Sequence, residues 1–158
     1  MKGGNMADYF TNFSITLPLP YEAAQAYATE LARQAEAIRA GDEEIPTGFP
    51  ASLRDALEDW WFETEADGSP RKWGVWLHSS NGGIDAVCAF IQHLLGKFDP
   101  HGSVCLEWSH DCSKPRTDAF GGGAAFITAR NIKTLSTGGW LQKQSAAHAR
   151  KTKKGEIR

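Results

Sequence analysis

The densest group of chemically competent side chains is Cys105, His110 and Cys112, two thiols and an imidazole close together in the chain. Such donors suit zinc, but a structural zinc site takes four ligands, normally as two compact pairs. Here the fourth has to come from Asp111, Glu107 or a distant histidine. Read as an enzyme, the same group makes Cys112 a nucleophile with His110 or His78 as its base. Two neighbours on a loop do not form a triad by themselves, and strand alternation sends Cys105 to the face opposite His110. No catalytic residue, metal or cofactor is therefore assigned. Cys105, His110 and Cys112 remain the metal candidates, and a Cys/His metalloprotein or hydrolase remains an alternative reading.

Two other motifs touch phosphate chemistry. Gly121, Gly122 and Gly123 are a glycine run, but the dinucleotide fingerprint needs a further glycine at the position of Phe126 and a helix after it. A P-loop needs a Lys followed by Ser or Thr, and neither requirement is met. A run that leads into a strand points instead to a bulge or a close backbone approach. Just upstream, Lys114 and Arg116 are candidate anion contacts on a polar loop. Arg150, Lys151, Lys153 and Lys154 form a basic C-terminal segment able to add salt-sensitive affinity for nucleic acid or another acidic surface.

The elements that position these residues follow from hydrophobic period. Phe13, Ile15, Leu17 and Leu19 alternate with polar residues as in a half-buried strand. After Pro18 and Pro20 the period changes, and Ala24, Ala28, Leu31, Ala35 and Ile38 predict a helix that ends at Gly41. The segment 42–50 reads as a loop, followed by a short helix from Leu53 to about Glu58 capped by Ser52. Residues 60–66 and 73–78 predict a hairpin joined through Asp67, Gly68, Ser69 and Pro70. Ile84, Val87, Cys88, Ile91, Leu94, Leu95 and Phe98 form the clearest helical stripe, with His93 on the opposite, solvated side. Strands follow at 104–109 and 124–129, then a short helix over about 131–142, interrupted by Gly138 and Gly139. Beyond Gln144 the chain is expected to fray.

The expected fold is α+β: a ferredoxin-like split βαββαβ with an additional C-terminal strand, its antiparallel sheet carrying two helices on one face. The expected organisation is a flexible tail at 1–8, a single domain at 9–142 and a basic, flexible tail at 143–158. The sheet face without helices then carries Trp61, Glu63, Glu65, Trp76, His78 and Glu107, the candidate partner-binding residues. Aromatic residues on an open sheet are how some RNA-binding domains stack bases, but carboxylates beside a phosphate backbone oppose that use. Trp among Glu suits a protein partner or self-association better.

Composition bounds the rest. The chain has 158 residues, 41% hydrophobic and 23% charged, with a formal net charge of -2, the profile of one ordinary globular domain without a general positive field. Its 3 cysteines cannot complete a disulfide framework, and no apolar run reaches the roughly 20 residues of a membrane span. With no apolar segment in the first ten residues, a cytoplasmic location without membrane contact is the expectation.

The stretch from Gly83 to Ala129, with Phe90-Ile91-Gln92-His93-Leu94-Leu95, Trp108, Cys112-Ser113-Lys114-Pro115-Arg116 and Phe120-Gly121-Gly122-Gly123-Ala124-Ala125, resembles a group of uncharacterised small accessory proteins of bacterial phages and mobile elements. The resemblance implies a setting rather than a chemistry. Small proteins of such elements are often antagonists of host defence, of the anti-CRISPR or anti-restriction type, which act by occupying a surface of a larger complex. The leading expectation is therefore a non-enzymatic interaction module that binds a host protein or nucleoprotein complex. Nucleic-acid binding through the basic C-terminal segment is the alternative from a second class.

Overall fold

The computed structural model describes residues 6–70 and 72–155, so most of the segment expected as an N-terminal tail, 1–5, lies outside the described residues. Among the described residues the elements run in the order β1 (Tyr9–Leu17), α1 (Glu22–Ala40), β2 (Glu63–Ala66), β3 (Val75–Ser79), α2 (Ile84–Phe98), β4 (Ser103–Cys112), β5 (Gly121–Thr128), β6 (Ile132–Ser136) and α3 (Thr137–Lys153). The six strands form one antiparallel sheet in the order β2-β3-β1-β4-β5-β6. The protein is thus α+β, as the alternation of strand and helix periods indicates.

One face of the sheet is the core. Phe13, Leu17, Val75, Leu77, Leu106, Ala125 and Ile127 point from the strands toward α1 and α2. On α1 the buried positions are Ala24, Ala28, Leu31, Ala32 and Ala35, so small side chains bring this helix close to the sheet. It stops at Gly41, whose φ of 82° is a left-handed conformation that glycine adopts without a Cβ penalty. The Gly41 N–H reaches Ile38 O at 3.0 Å and the Asp42 N–H reaches Ala37 O at 2.9 Å, the paired bonds of a Schellman cap. On α2, Val87, Cys88, Phe90, Ile91, Leu94 and Leu95 are buried, each large apolar side chain contributing about 1.5–3 kcal/mol.

The connection from α1 to β2 closes the core. The expected short helix is instead two 3-10 turns, Ala51–Leu53 and Leu57–Asp59, which bury Leu53 and Leu57. Trp60 and Phe62 precede the hairpin strand rather than belonging to it; their rings lie 4.8 Å apart between centroids and pack on Phe90 at 5.2 and 5.9 Å. The Asp59 carboxylate accepts a hydrogen bond from Ala86 N at 3.2 Å, satisfying one of the orphan donors in the first turn of α2.

The C-terminal third departs most from expectation. The β5 strand begins at Gly121, and residues 132–136, expected as helix, are a further strand. The Thr128 hydroxyl accepts from Asn131 N at 3.0 Å and Thr128 N donates to Asn131 O at 2.8 Å, closing the tight β5–β6 hairpin. After β6, Ser136 caps α3 by accepting from Gly139 N at 3.1 Å. That helix continues to Lys153, where an irregular basic segment was expected, and it buries none of its residues. At the other terminus Asp8 is tied down: its N–H donates to Ser113 Oγ at 2.8 Å, and its carbonyl accepts from Ser113 N at 2.9 Å.

Candidate functional site

The sheet face opposite α1 and α2 carries a connected polar cluster. Antiparallel pairing sets Glu63 opposite His78 and Glu65 opposite Trp76, so all four side chains share that face. The Trp76 and His78 rings stack at 3.8 Å between centroids with 24° between planes. The indole N–H of Trp76 donates to Ser14 Oγ on the neighbouring strand at 2.8 Å, which fixes the ring while leaving 41% of the residue exposed. His78 Nε2 lies 2.7 Å from Glu65 Oε2 and 3.6 Å from Glu63 Oε2. Because a carboxylate only accepts, Nε2 carries the proton in this pair.

Glu63, Glu65 and His78 are also the one group of ligating side chains, among the described residues, close enough to share a metal ion. An imidazole and two carboxylates would present a nitrogen–oxygen set with room left for water. The hydrogen-bonded pair is self-satisfied without an ion. Chemically the cluster is a rigid aromatic platform edged by negative charge.

Two of the expected partner-binding residues stand outside this cluster. Trp61 is half exposed, but the Arg39 guanidinium, from the last turn of α1, sits 4.2 Å over its ring. A charged group from the helix layer thus claims this indole. Glu107 alternates with the buried Leu106 on β4 and so shares the helix-free face, but β3 and β1 separate it from the Glu63–Glu65 strand.

The cysteine and histidine candidates do not converge. Cys105 is exposed and paired with Phe126, whereas His110 accepts or donates through Nδ1 to Thr11 Oγ1 at 2.8 Å, and Cys112 pairs with Tyr9 at the far end of β4. Asp111 accepts instead from Asn12 Nδ2 at 2.9 Å. Cys88 is buried in α2, and burial, with the Asp85 charge adding, pushes its thiol up to about 11. His93, expected to be solvated, donates or accepts across to Tyr27 OH at 2.8 Å and lies stacked against that ring. Desolvation first, and then Lys97, hold its imidazole below the usual histidine range.

A second site was not visible in the spacing. A groove of about 590 Å³ lies where β4 and β5 meet the start of α3, lined chiefly by Trp108, Leu135, Trp140, Leu141 and the glycine run. A Cβ on Gly123 would run into the Trp108 ring, so this glycine is what lets the indole lie on the strand. Thr137 hooks the same strand, accepting from Gly122 N at 3.1 Å and donating to Gly122 O at 3.2 Å. The glycine run thus serves close approach, as its place before a strand suggests. Lys114 and Arg116 lie in the β4–β5 connection, and Arg150, Lys151 and Lys153 lie on α3 with Lys154 at its C-cap. The signal that marks the groove is Trp140-Leu141 directly after two glycines, an apolar pair in a segment otherwise polar and basic.

No helix of the described residues is long and apolar enough to cross a membrane. Compared with family models, with curated proteins and with solved structures, the chain finds no match, and the reading of its surface rests on the geometry above.

Proposed function

We propose that this protein is a non-enzymatic interaction module that docks on a protein or nucleoprotein partner through its helix-free sheet face. The observation that carries the reading is the Trp76–His78 stack: an exposed indole on a partly buried imidazole, held by Ser14 and Glu65 and flanked by carboxylates. An aromatic surface ordered before binding loses little freedom on contact, which is why anchored Trp residues dominate interface energetics. The strand order β2-β3-β1-β4, with a helix before β2 and another before β4, supports taking the frame as a ferredoxin-like split βαββαβ extended by β5 and β6. The resemblance to phage and mobile-element accessory proteins supports a host defence complex, of the anti-CRISPR or anti-restriction kind, as the partner. In this reading the protein acts by occupying a surface and needs no cofactor.

The test is affinity capture from bacterial host extract with the wild-type chain, Trp76→Ala and Glu63→Lys, quantified by mass spectrometry. A partner held at stoichiometric level by the wild type and reduced at least tenfold with Trp76→Ala, about 1.4 kcal/mol or more, supports the proposal. Identical partner profiles for all three proteins would overturn it.

A further inference from the structure

Charge in this chain is separated in space as well as in sequence. Residues 130–155 hold seven cations and no carboxylate, whereas residues 1–128 hold nine cations against eighteen carboxylates. The near-neutral total therefore conceals a positive arm on a negative body. Arg130 and Lys133 belong to the β5–β6 hairpin, and Lys143, Arg150, Lys151, Lys153 and Lys154 to α3 and its cap. On a helix Lys143, Arg150 and Lys154 fall on one stripe through Ala147, with Lys151 and Lys153 flanking it on either side, so three of these cations form a line and two broaden it.

We propose that the β6–α3 arm binds the phosphate backbone of duplex nucleic acid. The helix buries none of its own residues; Gly139 and Ala147 are partly covered and Lys143 borders a groove beside Asp85, while Arg150, Lys151, Lys153 and Lys154 are all exposed. Its 17 residues span about 25 Å, and at 3.4 Å per base pair that matches roughly seven steps of a duplex. Repulsion from the body is weak at this site. Glu63 and Glu65 stand on the opposite edge of the sheet, five strand spacings or about 24 Å away, near three screening lengths at physiological salt. The carboxylates that face the arm are Asp85 and Glu107, which line the grooves beside its first turn rather than the turns that carry Arg150 to Lys154. The other occupant that charge allows is the acidic hairpin of a second copy. That contact would be head-to-tail and would not close on itself, whereas a duplex offers an unbroken line of negative charge matching the line on the helix. The contact is to backbone, so it reads charge and shape and carries no base sequence.

The experiment is fluorescence anisotropy of a labelled mixed-sequence DNA duplex of about 20 base pairs, titrated with the full chain from about 50 to 200 mM salt. The proteins compared are the wild type, a triple variant Arg150→Glu, Lys151→Glu and Lys154→Glu, and Trp76→Ala, with circular dichroism confirming that each keeps its helix content. The wild type should bind with affinity that falls steeply with salt. The triple variant should bind at least tenfold more weakly at about 50 mM salt, with a log–log slope shallower by about three, one for each phosphate that the altered helix leaves unneutralised. Trp76→Ala should bind the duplex like the wild type, which separates this arm from the sheet-face site. Absence of duplex binding at about 50 mM salt, or equal binding by the triple variant, overturns the proposal. So does sedimentation showing that the charge reversal abolishes self-association while the wild type ignores the duplex, an outcome that assigns the arm to a second copy.

Discussion

Helices α2 and α3 are nearly equal in length, 15 and 17 residues, yet seven residues of α2 are buried and none of α3. The first is held by what it packs on. The second is held by a Ser136 cap, two contacts of Thr137 with Gly122, and the intrinsic helix preference of its Gln, Lys, Ala and Arg residues. Isolated helices shorter than about 12–15 residues are marginal in water, so α3, at 17 residues with two glycines in its first turn, is only a little longer than that limit. A helix whose side chains, beyond its first turns, have little packing duty has a composition free to answer to something outside the fold. In α2 the sequence records the core; in α3 it records the surroundings.

The largest effect that would sharpen this contrast is at Phe90, fully buried between Trp60 and Phe62. Phe90→Ala should lower unfolding free energy by about 3–5 kcal/mol in a urea titration, because transfer and cavity terms add. A change below about 1 kcal/mol would mean that α2 is not held by its core face.

The next effect is on the other side of α2. His93 has its pKa lowered in the folded protein by desolvation, with Lys97 adding, and the facing group on α1 is Tyr27. The unfolded chain therefore takes up the proton first as pH falls. The stability that neutral His93 contributes is fully present above its ordinary value of 6.5 and is lost as pH falls from there through the lower folded value. His93→Gln should flatten the fall in melting temperature between about pH 7 and 5, and an unchanged slope would assign that loss to other groups. The smallest effect belongs to α3. Trp140 is 51% exposed, and Trp140→Ala should change global unfolding free energy by no more than about 0.5 kcal/mol. A loss of several kcal/mol would erase the distinction between the two helices.

The same contrast explains what the sequence made legible. Where burial is strong, period reveals it: the alternation of Phe13, Ile15 and Leu17 and the stripe on α2 correspond to β1 and a core helix. The shared face of Glu63, Glu65, Trp76 and His78 followed from strand alternation alone. Trp61 escaped the same logic because the chain leaves the 3-10 turn in a non-strand conformation, and Arg39, distant in sequence, covers the ring. Elements that bury little leave little pattern. β6 has no buried residue, and α3 opens on two glycines that ordinarily interrupt helices, so neither was visible as such. The cap of α2 by Asp59 lies 27 positions away and is beyond any local motif.

The β6 strand has a consequence of a different kind. It is the last strand of the sheet, and among the described residues no strand pairs with its outer side, so its outward amides and carbonyls are a template on which another chain could extend the sheet. Two copies meeting edge to edge there would bring two positive arms together, with Lys133 on each strand and no carboxylate on either to relieve the repulsion. The cations of the arm thus oppose a symmetric pairing of two β6 edges, and neutralising them removes that repulsion from an otherwise bare edge.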